Sequence, residues 1–247
     1  MVCRPIKGGG VIVMRIHSVA GLAALLFFLV GMVGVCLGAE KERASEPTYQ
    51  GKTLDEWVAR TKAKDKRIRQ TAAWALGNIG PEARTTVPAL IELFKDKEES
   101  VRGAAARALG GIGANAASAA PALTELLNDK NEEVQHAVAV ALGNIGPEAK
   151  IAIPAITEWL AKYKNGSVPW TAAEALRRIG PAAIPTLTEL LKDKDIDVRW
   201  YAAQALGEIG PEAKLAIPSL SELLKDNDKR VRQVAADALE KIEKDKN

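Results

Sequence analysis

Cysteine, histidine and aromatic residues are scarce in this sequence, and their scarcity excludes several kinds of site. Both cysteines, Cys3 and Cys36, lie within the first 39 residues, so the rest of the chain has no disulfide and depends on packing for its stability. Only one histidine, His136, lies beyond those residues, and a single histidine does not make a histidine-rich metal site. The sequence also contains no glycine-rich phosphate loop and no nucleophile turn. We therefore expect no catalytic residue, no metal ion and no cofactor.

The charge of the chain is balanced once its N-terminal part is set aside. The sequence carries 34 Lys and Arg residues and 31 Asp and Glu residues. Residues 1–39 hold Arg4, Lys7 and Arg15 and no acid, which leaves 31 charges of each sign in the remainder. A near-neutral body does not have the basic surface typical of a nucleic-acid binder.

Residues 18–39 form an uncharged run of 22 residues, with positive charge before it and Glu40–Arg43 after it. This layout predicts a secretory signal peptide that is cleaved after Gly38 or Ala39. Two alternatives stay open. About 20 apolar residues also suffice for an uncleaved membrane anchor, and Cys36 would be the attachment point if the protein were a lipoprotein. Each alternative predicts an exported protein, whether periplasmic, secreted or anchored facing outside the cytoplasm.

The segment that follows is charged and turn-rich, so we predict a linker over residues 40–51. Thr53 and Glu56 have the spacing of a capping box, in which each side chain bonds the backbone N–H of the other residue. We expect the first helix of the folded domain, residues 52–247, to begin there.

One motif, VRxxAAxALGxIGPEAxxAIPxLxELLKD, is repeated almost six times along residues 52–247. A valine or isoleucine opens each copy, and a leucine follows eight residues later. The opening residues are Ile68, Val101, Val134, Val168, Val198 and Val231. Their spacing of 33, 33, 34, 30 and 33 residues falls within the period of about 20 to 50 that predicts a stack of repeated units.

Each copy predicts two helices. In the third copy Asn131 has a capping side chain, and acidic residues follow it in the first turn. The helix from Val134 to Ile145 ends at Gly146, and Pro147 suits the first turn of a second helix because that position needs no N–H. No alternation typical of strands competes with this pattern, so the predicted class is all-α.

A capping residue and an arginine recur at fixed positions of the first helix. The capping residues are Asp65, Asn131, Asn165, Asp195 and Asp228, with Glu98 as the exception. The arginines are Arg69, Arg102, Arg199 and Arg232. The repeated acid and the repeated arginine either form a ladder between neighbouring units, or are a cap and a solvated side chain.

The repeated unit resembles the HEAT repeat, in the short form named after the phycobilisome lyases. The resemblance rests on segments such as Ala72–Gly80 (AAWALGNIG) and the proline-led helix Pro218–Leu224. It implies a right-handed α-α superhelix, a HEAT/armadillo-type solenoid of about six helix pairs, which mostly binds other proteins. The HEAT-repeat hydroxylases hold iron on His-Glu pairs, which this sequence lacks. The bilin lyases share the repeat, but the body has no cysteine for a tetrapyrrole and no lyase motif.

The first helix of each pair has a constant face and a variable face. Counted from the opening residue as zero, positions 0, 4, 7, 8 and 11 lie together and predict the core. Positions 2, 3, 6 and 10 lie opposite and vary; we call them the inner-helix stripe. In HEAT-like solenoids this helix lines the concave surface, and the resemblance implies the same here. The predicted protein-binding residues are Trp74, Asn78, Arg107, His136, Asn144, Trp170, Glu174, Arg178, Trp200, Tyr201, Gln204, Glu208 and Asp237.

Exposed tryptophan and tyrosine residues are favoured anchors at protein interfaces. Trp170, Trp200 and Tyr201 are therefore predicted to anchor a partner; the alternative is that they cover gaps between helices. Trp57 and Trp159 fall on outer helices and are predicted to be packing residues.

The fourth copy departs from the motif beside these aromatic residues. Pro169 stands in place of the arginine, Arg177 stands in place of a glycine, and three residues are missing between Gly180 and Pro185. Two interpretations stay open: a bend that shapes a pocket, or drift in a tolerant loop.

The sequence thus predicts an exported scaffold, not an enzyme, that binds another protein through its concave inner-helix face. The first alternative is an accessory or lyase-like subunit of an enzyme complex. The second is a nucleic-acid binder, which the balanced charge disfavours.

Overall fold

The structure, a computed structural model, describes residues 47–164 and 166–244. The predicted leader, residues 40–46 of the predicted linker and the cap residue Asn165 lie outside the described residues. Within the described ranges, no helix has both the length and the apolar character needed to cross a membrane.

The described chain forms twelve α-helices in outer–inner pairs. They are α1 Leu54–Arg60, α2 Lys66–Ile79, α3 Val87–Glu92, α4 Glu99–Ile112, α5 Ala120–Leu126, α6 Glu132–Ile145, α7 Ile153–Lys162, α8 Val168–Ile179, α9 Ile184–Leu190, α10 Ile196–Ile209, α11 Ile217–Leu223 and α12 Lys229–Glu243. The even-numbered inner helices pack side by side in chain order, and each odd-numbered outer helix packs on the inner helix that follows it. This arrangement confirms the predicted all-helical solenoid of repeated helix pairs.

Short 3₁₀ helices follow the inner helices. They span Gly80–Thr86, Gly113–Ala119, Gly146–Ala152, Pro181–Ala183 and Gly210–Ala216, and one more, Leu93–Lys95, ends the outer helix α3. The glycine that ends each of the first five inner helices has φ between 66° and 85°, a conformation that other residues rarely adopt. The stretch in the fourth unit is the shortest of those five because that unit lacks three residues.

The N-terminus of the described chain holds an element that the sequence analysis did not predict. Thr48–Tyr49 and Lys52–Thr53 pair as an antiparallel hairpin. The first strand lies in the predicted linker, and the second lies at the start of the predicted folded domain. The Trp57 indole donates a hydrogen bond to the Tyr49 carbonyl at 3.1 Å, so helix α1 holds the hairpin in place. The capping box is confirmed: Thr53 Oγ1 accepts from Glu56 N, and Glu56 Oε2 accepts from Thr53 N.

Most of the predicted caps are confirmed. Asp65, Asn131, Asp195 and Asp228 each accept a backbone N–H in the first turn of an inner helix. Glu98 makes no side-chain cap bond. Helix α8 begins after Ser167, which also makes none.

The repeated leucines are the centre of the core. Leu76, Leu109, Leu142, Leu176 and Leu206 have no accessible surface, and the last of the series, Leu239, is half-buried. The opening residues are buried except in the first unit, where Ile68 is 39% exposed. The prediction was wrong there because an opening residue packs on the preceding inner helix, as Val134 does beside Gly103 of α4, and α2 has no inner helix before it.

A glycine within the inner helix sets the close spacing of most neighbouring units. A Cβ added at Gly77 would lie 2.6 Å from Ala108 Cα, and one at Gly110 would lie 3.0 Å from Ala141 Cα. Such contacts leave no room for a side chain without moving a helix. In α8 the equivalent position is Arg177.

The repeated arginines form a ladder between units, but the acid in it is not the capping residue. Each pair is bidentate and joins residues 27 apart: Arg69 to Asp96, Arg102 to Asp129 and Arg199 to Asp226. Each aspartate lies two residues before the next cap position. Its carboxylate also accepts a hydrogen bond from the backbone N–H of that cap residue, which is residue 98, 131 or 228. Arg69 and Arg199 hold the pKa of Asp96 and Asp226 below the usual range.

Units three and four replace the ladder by other contacts. Gln135 donates to the Asp129 carbonyl at 2.6 Å and accepts from the Trp159 indole at 2.8 Å. Because Pro169 stands where the arginine would be, Lys164 instead pairs with Asp193 at 2.6 Å.

Candidate protein-binding site

Most positions of the inner-helix stripe lie at the surface, but position 3 does not. Ala104, Ala137, Thr171 and Val234 are buried, whereas Thr71 is exposed and Tyr201 is half-buried. The prediction was wrong for the four buried residues because position 3 faces the neighbouring inner helix: His136 Nδ1 of α6 lies 3.1 Å from Thr171 Oγ1 of α8. The surface of the stripe therefore comes mainly from positions 2, 6 and 10.

The first two units form a groove of about 550 Å³ between α2 and α4. Trp74, which is 53% exposed, and Arg107 belong to the two helices, and small residues such as Ala104 lie between them. Tyr49 of the hairpin contacts the Trp74 ring edge to face, with centroids 5.7 Å apart. Asn78 donates to the Trp74 carbonyl at 2.8 Å, which leaves its amide oxygen available to accept a hydrogen bond.

His136, one of the predicted binding residues, is half-buried. Its ring contacts Trp159 edge to face at 5.2 Å, and a cavity of about 160 Å³ lies beside it, next to Gly166. Burial lowers the pKa of His136 below its ordinary value, which favours a neutral imidazole. This environment fits a packing residue that is partly accessible.

The predicted polar residues of units three to five form one network. Arg178 bonds Asn144 at 2.6 Å and pairs with Glu174 of its own helix. Arg177 pairs with Glu174 at 2.7 Å and with Glu208 of the next inner helix at 3.1 Å. The hydrogen bond from Arg177 is the main cause that lowers the pKa of Glu174. These charges therefore satisfy one another within the protein.

The three predicted anchor residues divide between two neighbouring grooves. Trp170, which is 50% exposed, and Tyr201 line one groove together with Glu208. Trp200 lines the next, with Asp237, and Gln204 lies between the two. The rings of Trp200 and Tyr201 touch edge to face at 4.8 Å, and both are half-buried, so the aromatic surface is continuous across α10.

The two tryptophans of the outer helices lie in the core. Trp57 and Trp159 are 3% and 4% exposed, which confirms them as packing residues. Arg177 and Tyr49 were not predicted as site residues. The signal for Arg177 was an arginine at a position that holds glycine in four of the six copies. Tyr49 gave no signal, since it lay in a predicted linker. Among the described residues, no cluster of His, Cys, Asp or Glu has the arrangement of a metal site.

Comparison with known proteins agrees with the repeat. Residues 54–120, 87–162 and 153–240 match the family of HEAT repeats. The chain belongs to the HEAT-repeat family. Among curated proteins, none matches the chain significantly.

Several solved structures resemble this HEAT-repeat chain. An engineered protein is 29% identical, with 77% of this chain and 96% of that chain covered and a TM-score of 0.53. One chain in the structure of the complex of CpcE and CpcF of phycocyanin lyase from Nostoc sp. PCC7120 is 27% identical, with 80% of this chain and 80% of that chain covered and a TM-score of 0.52. A designed armadillo repeat protein in complex with a (KR)4 peptide is 22% identical over 76% of this chain and 99% of that chain, with a TM-score of 0.55, which indicates a shared fold. The HEAT-repeat architecture is that of a scaffold suited to protein binding.

Proposed function

We propose that this protein is an exported, non-enzymatic scaffold that binds another protein through the exposed part of its inner-helix stripe. The observation that carries the proposal is the exposed aromatic surface formed by Trp170, Trp200 and Tyr201. Half of the Trp170 surface is accessible, while the charges around it are engaged with one another. A partner would therefore gain most by covering the aromatic surface, since large aromatic side chains provide most of the binding energy at interfaces.

The likeness to a designed repeat protein that holds a peptide supports this function for the same fold. Four of the aromatic side chains of the described chain, Trp74, Trp170, Trp200 and Tyr201, lie on the stripe, and the stripe is where helices of neighbouring units leave grooves between them. A row of grooves along one face suits an extended segment of a partner.

The test is a double variant, Trp170→Ala with Tyr201→Ala. The partner is first identified by crosslinking mass spectrometry on the envelope fraction, and its affinity is then measured with purified proteins. We expect the binding free energy to become less favourable by about 2 kcal/mol or more, the usual size of a hot-spot effect. The circular dichroism spectrum should be unchanged. Trp200→Ala, measured separately, reports whether the partner extends into the next groove.

The control is a variant with Lys150→Ala and Lys214→Ala. Both lysines are exposed on the 3₁₀ helices and not on the stripe. Unchanged affinity in the aromatic variant, together with a loss in the lysine variant, would move the binding site to the other side of the solenoid and overturn the proposal.

Export is the second part of the proposal, and it rests on the charge layout of residues 1–43. With a cleaved signal peptide, sequencing of the mature N-terminus should begin near Ala39 or Glu40. A mature protein that keeps residues 18–39 in the membrane pellet would favour the anchor instead.

A subunit of an enzyme complex is the alternative function, because one chain in the structure of the CpcE–CpcF phycocyanin lyase complex is 27% identical to this chain over 80% of its length. Partner capture repeated with and without an added bilin separates the two functions. Capture that depends on the pigment would favour the lyase-like role.

A further inference from the structure

The groove between α2 and α4 differs from the other grooves of the stripe in its electrostatics. Arg107 is the one charged residue among those that line it, and within residues 47–164 and 166–244 it takes part in no salt bridge. In contrast, Arg177 and Arg178 of the fourth unit pair with Glu174. Arg107 therefore presents an uncompensated positive charge within a groove that is otherwise neutral.

The rest of this groove combines an apolar surface with the neutral polar side chains of Gln70, Thr71 and Asn78. Trp74 is 53% exposed, and Tyr49 packs against its ring edge to face, so the indole is supported on one side by the hairpin. Ala104, Ala108 and other small residues line the groove with it and leave a space of about 550 Å³, which is room for more than one side chain.

We propose that this groove binds an acidic segment of the partner protein, with a carboxylate on Arg107 and a neighbouring apolar side chain on Trp74. The inference rests on the proposed function, which makes the stripe the binding face, and it names the chemistry of the segment that the first two units take. Arginine suits a carboxylate because its planar guanidinium donates two parallel hydrogen bonds.

The experiment is a peptide titration that needs no native partner, so its outcome is independent of the Trp170 and Tyr201 test. The probe is a short fluorescein-labelled peptide in which glutamate and phenylalanine alternate, and its binding to the full chain is measured by fluorescence anisotropy. The matched probe has glutamine at every glutamate. We expect the glutamate peptide to bind about tenfold more tightly, and added salt to weaken it.

Three variants locate the binding. Arg107→Gln should reduce the affinity for the glutamate peptide to that of the glutamine peptide and remove the salt dependence. Trp74→Ala should weaken both peptides alike. Arg84→Gln removes the same charge from an exposed 3₁₀ helix and should leave both affinities unchanged.

Equal binding of the two peptides by the unaltered protein would overturn the proposal, as would an Arg107→Gln variant that keeps the difference between them. A chitin oligosaccharide that binds in a Trp74-dependent way, with neither peptide binding, would also overturn it and assign the groove to a glycan.

Discussion

The interface between α4 and α6 resembles the interface between α8 and α10 in its buried leucines. The two interfaces differ in the glycine and arginine contacts around those leucines. Leu142 and Leu176 are both fully buried. At the first interface Gly110 lies against Ala141, and Arg102 pairs with Asp129. At the second, Arg177 occupies the glycine position and pairs with Glu208.

The difference shows how a repeat protein changes its surface without changing its core. The second interface has less close backbone contact than the first, and an ion-paired arginine stands at the glycine position. The exposed Trp170 lies beside that interface. Because each unit contacts its neighbours alone, such a change stays local.

The largest expected effect tests the shared core. Leu142→Ala should lower the free energy of unfolding by about 2–5 kcal/mol, and Leu176→Ala should cost a similar amount, because both side chains have no accessible surface. Urea denaturation followed by circular dichroism measures both. A much smaller loss for Leu176→Ala would mean that the fourth unit differs in its core as well.

The second effect tests the spacing of the helices. Gly110→Val should destabilise the protein by about 1–3 kcal/mol, since the added side chain has to push α6 away. Arg177→Ala at the equivalent position should cost no more than about 1 kcal/mol, because the two ion pairs that it removes, with Glu174 and Glu208, are partly exposed. Equal losses in the same urea assay would contradict the distinction between close and open interfaces.

The third effect concerns the ladder. Arg102→Ala leaves Asp129 buried without its bidentate partner and should cost about 1–3 kcal/mol. Lys164→Ala should cost about 0–1 kcal/mol, because the lysine side chain is 35% exposed. A thermal melt of each variant compares them; the reverse order would indicate that the irregular unit depends more on its ion pair than the regular ones do.

The smallest expected effect is a loss of folding stability at acidic pH. Arg69 and Arg199 lower the pKa of Asp96 and Asp226. Burial raises the pKa of Asp129, but hydrogen bonds from Arg102 and from the N–H of Asn131 outweigh it. A lowered carboxyl pKa stabilises the fold above the unfolded-state value of roughly 4, and the stabilisation is lost as pH falls below it. Stability measured from pH 7 down to pH 2 should therefore decline below about pH 4, and less steeply for Arg102→Gln than for the unaltered protein.

Repeat spacing and capping residues determined the inner helices from the sequence alone. The helix predicted from Val134 to Ile145 runs from Glu132 to Ile145, and the repeated leucines lie in the core. These features depend on periodicity and on bonds within a turn or two of one helix, both of which the sequence contains directly. The stripe could be predicted as a face for the same reason.

The tertiary structure decided everything that depends on the offset between neighbouring units. Arg69 pairs with Asp96 and not with a capping residue, Trp170 shares its groove with Tyr201 and not with Trp200, and Thr171 is buried by the adjacent helix. The period of one helix does not determine how far the next helix is shifted along it. That shift results from side-chain packing, such as Gly77 against Ala108, and it decides which side chains of adjacent units meet.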